Sequence, residues 1–166
     1  MEDWWQILLH WGEEWGKVAR MQRLMLVGEY DFTLDAKNRV AVPARLRSAF
    51  ADGVYVTRGH EHCLAGYSPD GFQAYLDRRS AGISSLSSKG RDMQRFATAG
   101  AVYQPLDGQG RVMLPARQLE YAGIEREVTI IGVEDHIEIW DRAAWAEYLA
   151  RLEEEADATA DELATS

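Results

Sequence analysis

The sequence predicts an α+β fold, mainly β, in which two tandem copies of one small unit pack together as a pseudo-dimer. Three observations predict it. First, Leu34-Asp35-Ala36-Lys37-Asn38-Arg39-Val40-Ala41-Val42-Pro43-Ala44-Arg45 matches Leu106-Asp107-Gly108-Gln109-Gly110-Arg111-Val112-Met113-Leu114-Pro115-Ala116-Arg117 at an offset of 72. Second, each copy places an Asp-led turn before a short apolar segment, the pattern of paired strands. Third, each copy closes on an aromatic stripe at helical spacing behind a capping side chain. Two copies are too few for a solenoid, in which stacked repeats bury one another. A duplicated unit that packs on its own copy satisfies the same need.

The elements follow in order. Gly28 to Leu34 alternates and predicts a strand. Asp35-Ala36-Lys37-Asn38 predicts a four-residue turn: Asp35 bonds the turn backbone, and Asn38, or Gly110 in the second copy, tolerates positive φ. Asp107 takes the role of Asp35 in that copy. This chemistry predicts a hairpin whose second strand is Arg39 to Val42. Pro43 and Pro115 fit the first position of a short helix, where a missing N–H costs nothing. Val54 to Thr57 and Val128 to Ile131 are β-branched strands. Cys63 to Tyr67 and His136 to Trp140 predict two more. Ser68 and Asp141 read as caps that start helices near 69–79 and 142–155. Phe72, Tyr75 and Leu76 fall on one helical face, as do Trp145, Tyr148 and Leu149, and both stripes read as core.

The repeat continues beyond the turns. Gly28 matches Gly100 at the offset of 72, and downstream the offset becomes 73. There Gly59 matches Gly132, Leu64 matches Ile137, Tyr67 matches Trp140 and Phe72 matches Trp145. The units are therefore 25–79 and 97–152. Residues 80–96 read as a linker, Ser- and Gly-rich at its start, with a short helix from Lys89 to Ala97. Residues 153–166 read as an acidic tail. Residues 1–24 hold Trp4, Trp5, Trp11 and Trp15, four of the chain's six tryptophans. They lack the basic start and continuous apolar middle of a signal peptide. They read as an extension outside the fold, with a short helix docking its tryptophans on a partner as the second reading.

Composition bounds the function. The chain has 166 residues, 46% hydrophobic and 27% charged, enough apolar mass for a core. A single cysteine, Cys63, excludes an intrachain disulfide framework and fits a reducing compartment. No apolar run is long enough to cross a membrane as a helix. The formal net charge of −9 argues at first against a nucleic-acid partner. Its distribution removes that argument. Residues 97–166 hold 5 basic and 15 acidic side chains, whereas residues 1–96 hold 13 and 12. Lys37, Arg39, Arg45 and Arg47 lie within eleven residues that contain no acid. A local anion-binding face is compatible with an acidic whole.

The candidate binding residues are those bases and their second-copy counterparts. Arg can bind guanine O6 and N7 with two N–H groups, while Lys acts as a phosphate-directed point charge. Lys37 and Arg39 flank the first turn, and Arg39 is expected to point from it into solvent. Arg45 and Arg47 follow Pro43, where they suit the nucleic-acid backbone. The second copy offers Gln109, Arg111 and Arg117. The bland reading is that Arg39 pairs with Asp35 across its own turn and does nothing else. Asp35, Asn38, Asp107 and Gly110 are assigned to turn structure.

Other chemistry has less support. His60-Glu61-His62-Cys63 suggests a metal site, but it is not repeated in the second copy and lacks the usual zinc spacing. No nucleophile elbow, P-loop or dinucleotide glycine motif is present. No catalytic residue, metal or cofactor is expected.

The two Asp-x-x-x-Arg turns, each followed by an apolar strand and Pro, resemble the MraZ family of bacterial transcriptional regulators. Gly28-Glu29-Tyr30 with the first turn resembles its first half. The second turn, Tyr121-Ala122-Gly123-Ile124 and Ile137-Glu138-Ile139-Trp140-Asp141 resemble its second. The resemblance spans about Met25 to Leu152. One such turn is weak; two at a fixed offset are specific. The family usually has Gly where this chain has Asn38, and nothing in it corresponds to residues 1–24.

The resemblance implies two AbrB-like swapped-hairpin β-barrel units and a ring-shaped homo-oligomer. It implies binding to short tandem repeats in double-stranded promoter DNA of the division and cell-wall gene cluster, with repression as the expected outcome. It also implies that the arginine after each turn contacts DNA. No membrane or small-molecule partner is implied, and the expected location is the cytoplasm, associated with the nucleoid. The competing reading is an antitoxin-like or protein-interaction module whose acidic C-terminal helix binds a basic partner.

Overall fold

The computed structural model describes residues 25–81 and 87–164. The expectations for residues 1–24 lie outside the described residues. The chain forms β1 (Glu29–Thr33), β2 (Arg39–Ala41), a 3-10 turn (Arg47–Phe50), β3 (Val54–Arg58), β4 (Leu64–Tyr67) and α1 (Pro69–Ala81). It continues with α2 (Ser88–Ala99), β5 (Val102–Gln104), β6 (Arg111–Met113), α3 (Ala116–Ala122), β7 (Glu127–Val133), β8 (His136–Asp141) and α4 (Arg142–Ala164).

The strands are divided between a six-stranded sheet in the order β1-β7-β8-β4-β3-β5 and a two-stranded ribbon of β2 with β6. All pairings are antiparallel. The expected local hairpin of β1 with β2 is not formed. The turn exists, but its two strands part: β1 pairs with β7 of the second copy, and β2 pairs with β6 of the second copy. In return β5 pairs with β3 of the first copy. This is the swapped arrangement that the family resemblance implies. Its physical reason is burial. A ribbon built from both copies turns Val40 and Val112 inward, where they are 1% exposed, and area removed from water rewards that packing.

A pseudo-twofold relates the copies. In the β4–β8 pair Leu64 lies opposite Ile139 and Gly66 opposite Ile137. At the ribbon's centre Val40 lies opposite Val112. The strand register also corrects one match. Val56 pairs with Gly66 and Ile130 pairs with Ile139, so β3 and β7 align at an offset of 74. Gly132 is thus the counterpart of Arg58, not of Gly59, because the loop between β3 and β4 is longer than that between β7 and β8.

The two positions do different things. A Cβ on Gly132 would collide with the backbone of Leu26 and Val27, which crosses there. Arg58 instead lies over the Phe96 ring at 4.6 Å and donates to the Phe96 carbonyl at 3.1 Å.

The main core joins residues of both copies, among them Leu34, Val42, Phe50, Leu114, Ile130 and Ile139. Helices cover the sheet at two aromatic clusters. Phe72 of α1 stacks on Tyr55 at 4.7 Å. Trp145 of α4 packs with Trp140, Tyr148 and Leu149. Both expected caps are made: Ser68 Oγ accepts from Gly71 N at 3.1 Å, and Asp141 Oδ1 accepts from Ala144 N at 3.0 Å.

Three local expectations change. Pro43 leads into a turn and the 3-10 segment, with Leu46 N bonded to Pro43 O at 2.8 Å. Pro115 is the residue before α3, with extended backbone, so it sits one position earlier than expected. The short helix expected from Lys89 to Ala97 is present as α2, begun where Ser87 accepts from Gly90 N, and it packs on β3. Helix α4 also runs on to Ala164 through most of the expected tail.

Candidate nucleic-acid interface

The site is the outer face of the β2–β6 ribbon and the two turns that lead into it. Each turn is built the same way. Asp35 Oδ1 accepts from Lys37 N at 2.8 Å and Arg39 N at 2.9 Å. Asp107 Oδ1 accepts from Gln109 N at 2.9 Å and Arg111 N at 3.0 Å. A short carboxylate can reach back to its own turn in this way, which is why Asp belongs at the first position. The fourth position has positive φ in both turns, +54° at Asn38 and +72° at Gly110.

The copies differ there for a visible reason. The Arg47 guanidinium lies so close over Gly110 that any Cβ would strike it. Asn38 takes the same left-handed backbone with its side chain in place, and Asn tolerates that conformation.

Alternation along the strands sets the face. Val40 and Val112 point inward, so Arg39, Ala41, Arg111 and Met113 point outward. Arg39 lies opposite Met113, and Arg111 lies opposite Ala41. The expected solvent-pointing Arg39 is corrected: its side chain is only 29% exposed. Its Nε donates to Asp35 Oδ2 at 2.8 Å, and its Nη1 lies 3.7 Å from Asp107 Oδ2. Arg111 mirrors it, with Nε on Asp107 Oδ2 at 2.8 Å and Nη1 3.5 Å from Asp35 Oδ2. Two guanidiniums and two carboxylates thus close a square across the pseudo-twofold. The bland pairing of Arg39 with Asp35 is present, and it is one side of a larger cluster.

This environment keeps the carboxylates charged. Asp107 is held down at about 2, chiefly by the backbone N–H of Arg111, against a smaller opposing effect of burial. Asp35 is lowered for the same first reason, the N–H of Arg39. Carboxylates that accept backbone N–H bonds titrate low because those bonds favour the charged form.

The remaining candidates separate into two groups. Lys37, Gln109, Arg45 and Arg117 are exposed. Lys37 and Gln109 occupy the turn tips, and Arg45 and Arg117 follow Pro43 and Pro115. Arg47 does not join them. Its Nη2 donates to the Val42 carbonyl at 3.0 Å, and its Nε is buried without a partner. Arg47 braces the strand end against the opposite turn. Sequence reasoning missed Met113, 42% exposed beside Arg39. The alternation Arg111-Val112-Met113 carried the signal.

The His60–Cys63 segment lies elsewhere. Cys63 is buried and its thiol donates to the His60 carbonyl at 3.2 Å. Burial pushes that thiol far up. Among the described residues no group of three or more His, Cys, Asp or Glu is arranged to hold a metal ion. Among them too, no helix is long and apolar enough to cross a membrane.

Comparison with known proteins bears on most of the chain. Residues 25–96 and again residues 97–165 match the family model of the antitoxin-like MraZ protein. A protein of Limosilactobacillus fermentum named transcriptional regulator MraZ is 41% identical over 124 residues, covering 75% of this chain and 86% of the relative. One of Nocardia farcinica, with the same name, is 41% identical over 131 residues, 79% of this chain and 91% of the relative. One of Desulfitobacterium hafniense, so named as well, is 38% identical over 138 residues, 83% of this chain and 95% of the relative.

Proposed function

The chain belongs to the MraZ family, and we propose that it is a transcriptional regulator whose β2–β6 ribbon reads promoter DNA. The observation that carries the reading is the ribbon's outer face, where Arg39 and Arg111 stand diagonally across the two strands in pseudo-twofold register. A two-stranded ribbon fits the major groove, and guanidinium is the group best suited to guanine edges there. Lys37 and Gln109 on the turn tips, with Arg45 and Arg117 beyond the prolines, flank that face. Lysine and arginine so placed neutralise phosphates, which sets affinity and its salt dependence. The face is narrow and its central square is charge-neutral, so one protomer binds weakly. A closed homo-oligomer on tandem sites multiplies weak contacts through effective concentration. In this reading the protein represses genes of the division and cell-wall cluster and resides with the nucleoid. The role requires no chemical step and no cofactor.

The test is an electrophoretic shift assay on DNA from upstream of its own gene, at two salt concentrations. Arg39→Ala should abolish measurable binding with assembly intact, since a lost base contact costs about 1–3 kcal/mol per site and recurs in every engaged protomer. Lys37→Ala should weaken all DNA alike and flatten the salt slope. Arg111→Ala should be milder, because the first copy brings three bases to the face, Lys37, Arg39 and Arg45, and the second only Arg111 and Arg117. Wild-type binding by assembled Arg39→Ala protein would remove the first turn from the DNA face. Failure of the wild type to bind, with capture of a basic protein partner, would favour the interaction-module reading.

A further inference from the structure

We propose that Asp35 and Asp107 are positioning residues for DNA reading: each anchors its own arginine through Nε, so that both guanidiniums present their Nη edges end-on to base edges. The inference rests on the ribbon being the DNA face.

Three observations support it. The two oxygens of each carboxylate are divided between two tasks. Oδ1 takes the backbone N–H groups of the turn, and Oδ2 takes the arginine Nε at 2.8 Å in both copies. The turn therefore does not need Oδ2; the arginine does. Second, the contacts to Nη1 are longer, 3.7 Å and 3.5 Å. Among the described residues no hydrogen bond engages Nη2 of Arg39 or Arg111. The Nη1/Nη2 edge is the one left for a two-pronged acceptor such as guanine O6 and N7. Third, the square reaches across the pseudo-twofold, so each guanidinium is fixed relative to the other as well as to its own strand. An arginine fixed before contact gives up less rotamer freedom on binding.

The alternative is that the carboxylates only shape the turns and repel phosphate. The two ideas predict opposite signs. Asp→Asn keeps Oδ1 for the turn and turns an amide N–H₂ towards Nε, which cannot accept from it. It also removes negative charge from the face. Under the alternative, Asp35→Asn with Asp107→Asn tightens every DNA by one common factor. Under the positioning role, unrelated DNA binds tighter but upstream DNA does not, and the ratio of upstream to unrelated affinity falls by ~10-fold or more, the size of one good base contact.

The experiment measures both affinities for the wild type, the double variant and Glu147→Gln. That last residue is exposed on α4 and serves as a charge control. A second readout needs no DNA: the Nε–Hε NMR signals of Arg39 and Arg111 should be sharp and slowly exchanging in the wild type and averaged in the variant. Circular dichroism and light scattering verify that the variant folds and assembles. Should the double variant not fold, Asp35→Asn alone and Asp107→Asn alone are measured the same way. An unchanged ratio overturns the positioning role even if the wild type discriminates well. A wild type that does not discriminate overturns the ribbon reading and this inference together.

Discussion

Asp107 shows how much one side chain decides here. It accepts two backbone N–H groups on one oxygen and the Arg111 Nε on the other. Its carboxyl is held at about 2, below the ordinary 3.8. The folded value lies under the unfolded one. The contribution to stability is therefore present above pH 3.8 and is lost as pH falls through about 2. A carbon-detected NMR titration of the side-chain carboxyl should give a midpoint near 2 for Asp107. Acid denaturation of Asp107→Asn should be shallower across that window than that of the wild type. A midpoint at the ordinary value would show that the turn bonds are not made in solution.

Among the elements, β7 depends on a missing side chain. Gly132 N donates to the Gly28 carbonyl at 2.9 Å, and Leu26 forms a bridge with Glu134 beside it. The Leu26–Val27 backbone occupies the place a Cβ would need. Backbone held by hydrogen bonds on both sides cannot yield as a flexible side chain can. Gly132→Ala should therefore cost about 1–3 kcal/mol by chemical denaturation, the usual penalty of overpacking. The amides of Leu26 and Glu134 should lose their protection from hydrogen exchange. Protection as in the wild type would mean that the edge segment does not cross there. The counterpart Arg58 has no such restriction, because there a side chain fills the space over Phe96.

For the whole molecule, the swap makes the two copies one folding unit. Among the described residues, strand β1 finds its ladder only in β7, β5 only in β3, and β2 only in β6. Val40 and Val112 bury each other's ribbon face. A fragment of residues 25–87 lacks the partner of β1 and of β2. It should show no folded monomer by sedimentation and circular dichroism, and any folded material should be a dimer of fragments that restores the pairings. A stable monomeric fragment would mean that the first copy closes on itself, as its own turn suggests.

Much of the molecule was legible in the residues because it depends on neighbours in the chain. Asp35 and Asp107 predict their turns, and Ser68 and Asp141 their helix starts. The repeat and the Asp-x-x-x-Arg pattern were enough for the family and for the position of the candidate face. What the chain order could not settle was partnership. The turn at Asp35 looks the same whether β1 folds back on β2 or leaves for β7. Total burial, summed over both copies, makes that choice. The same reason explains the arginines. Pairing with Asp35 was visible at a spacing of four residues, but the approach of Asp107 to Arg39 exists only after two distant turns meet across the ribbon. It also explains Arg47, which has the composition of a DNA contact and is spent on the opposite copy's turn. Local hydrogen bonds shape the pieces of this protein, and the area they can bury together decides which pieces meet.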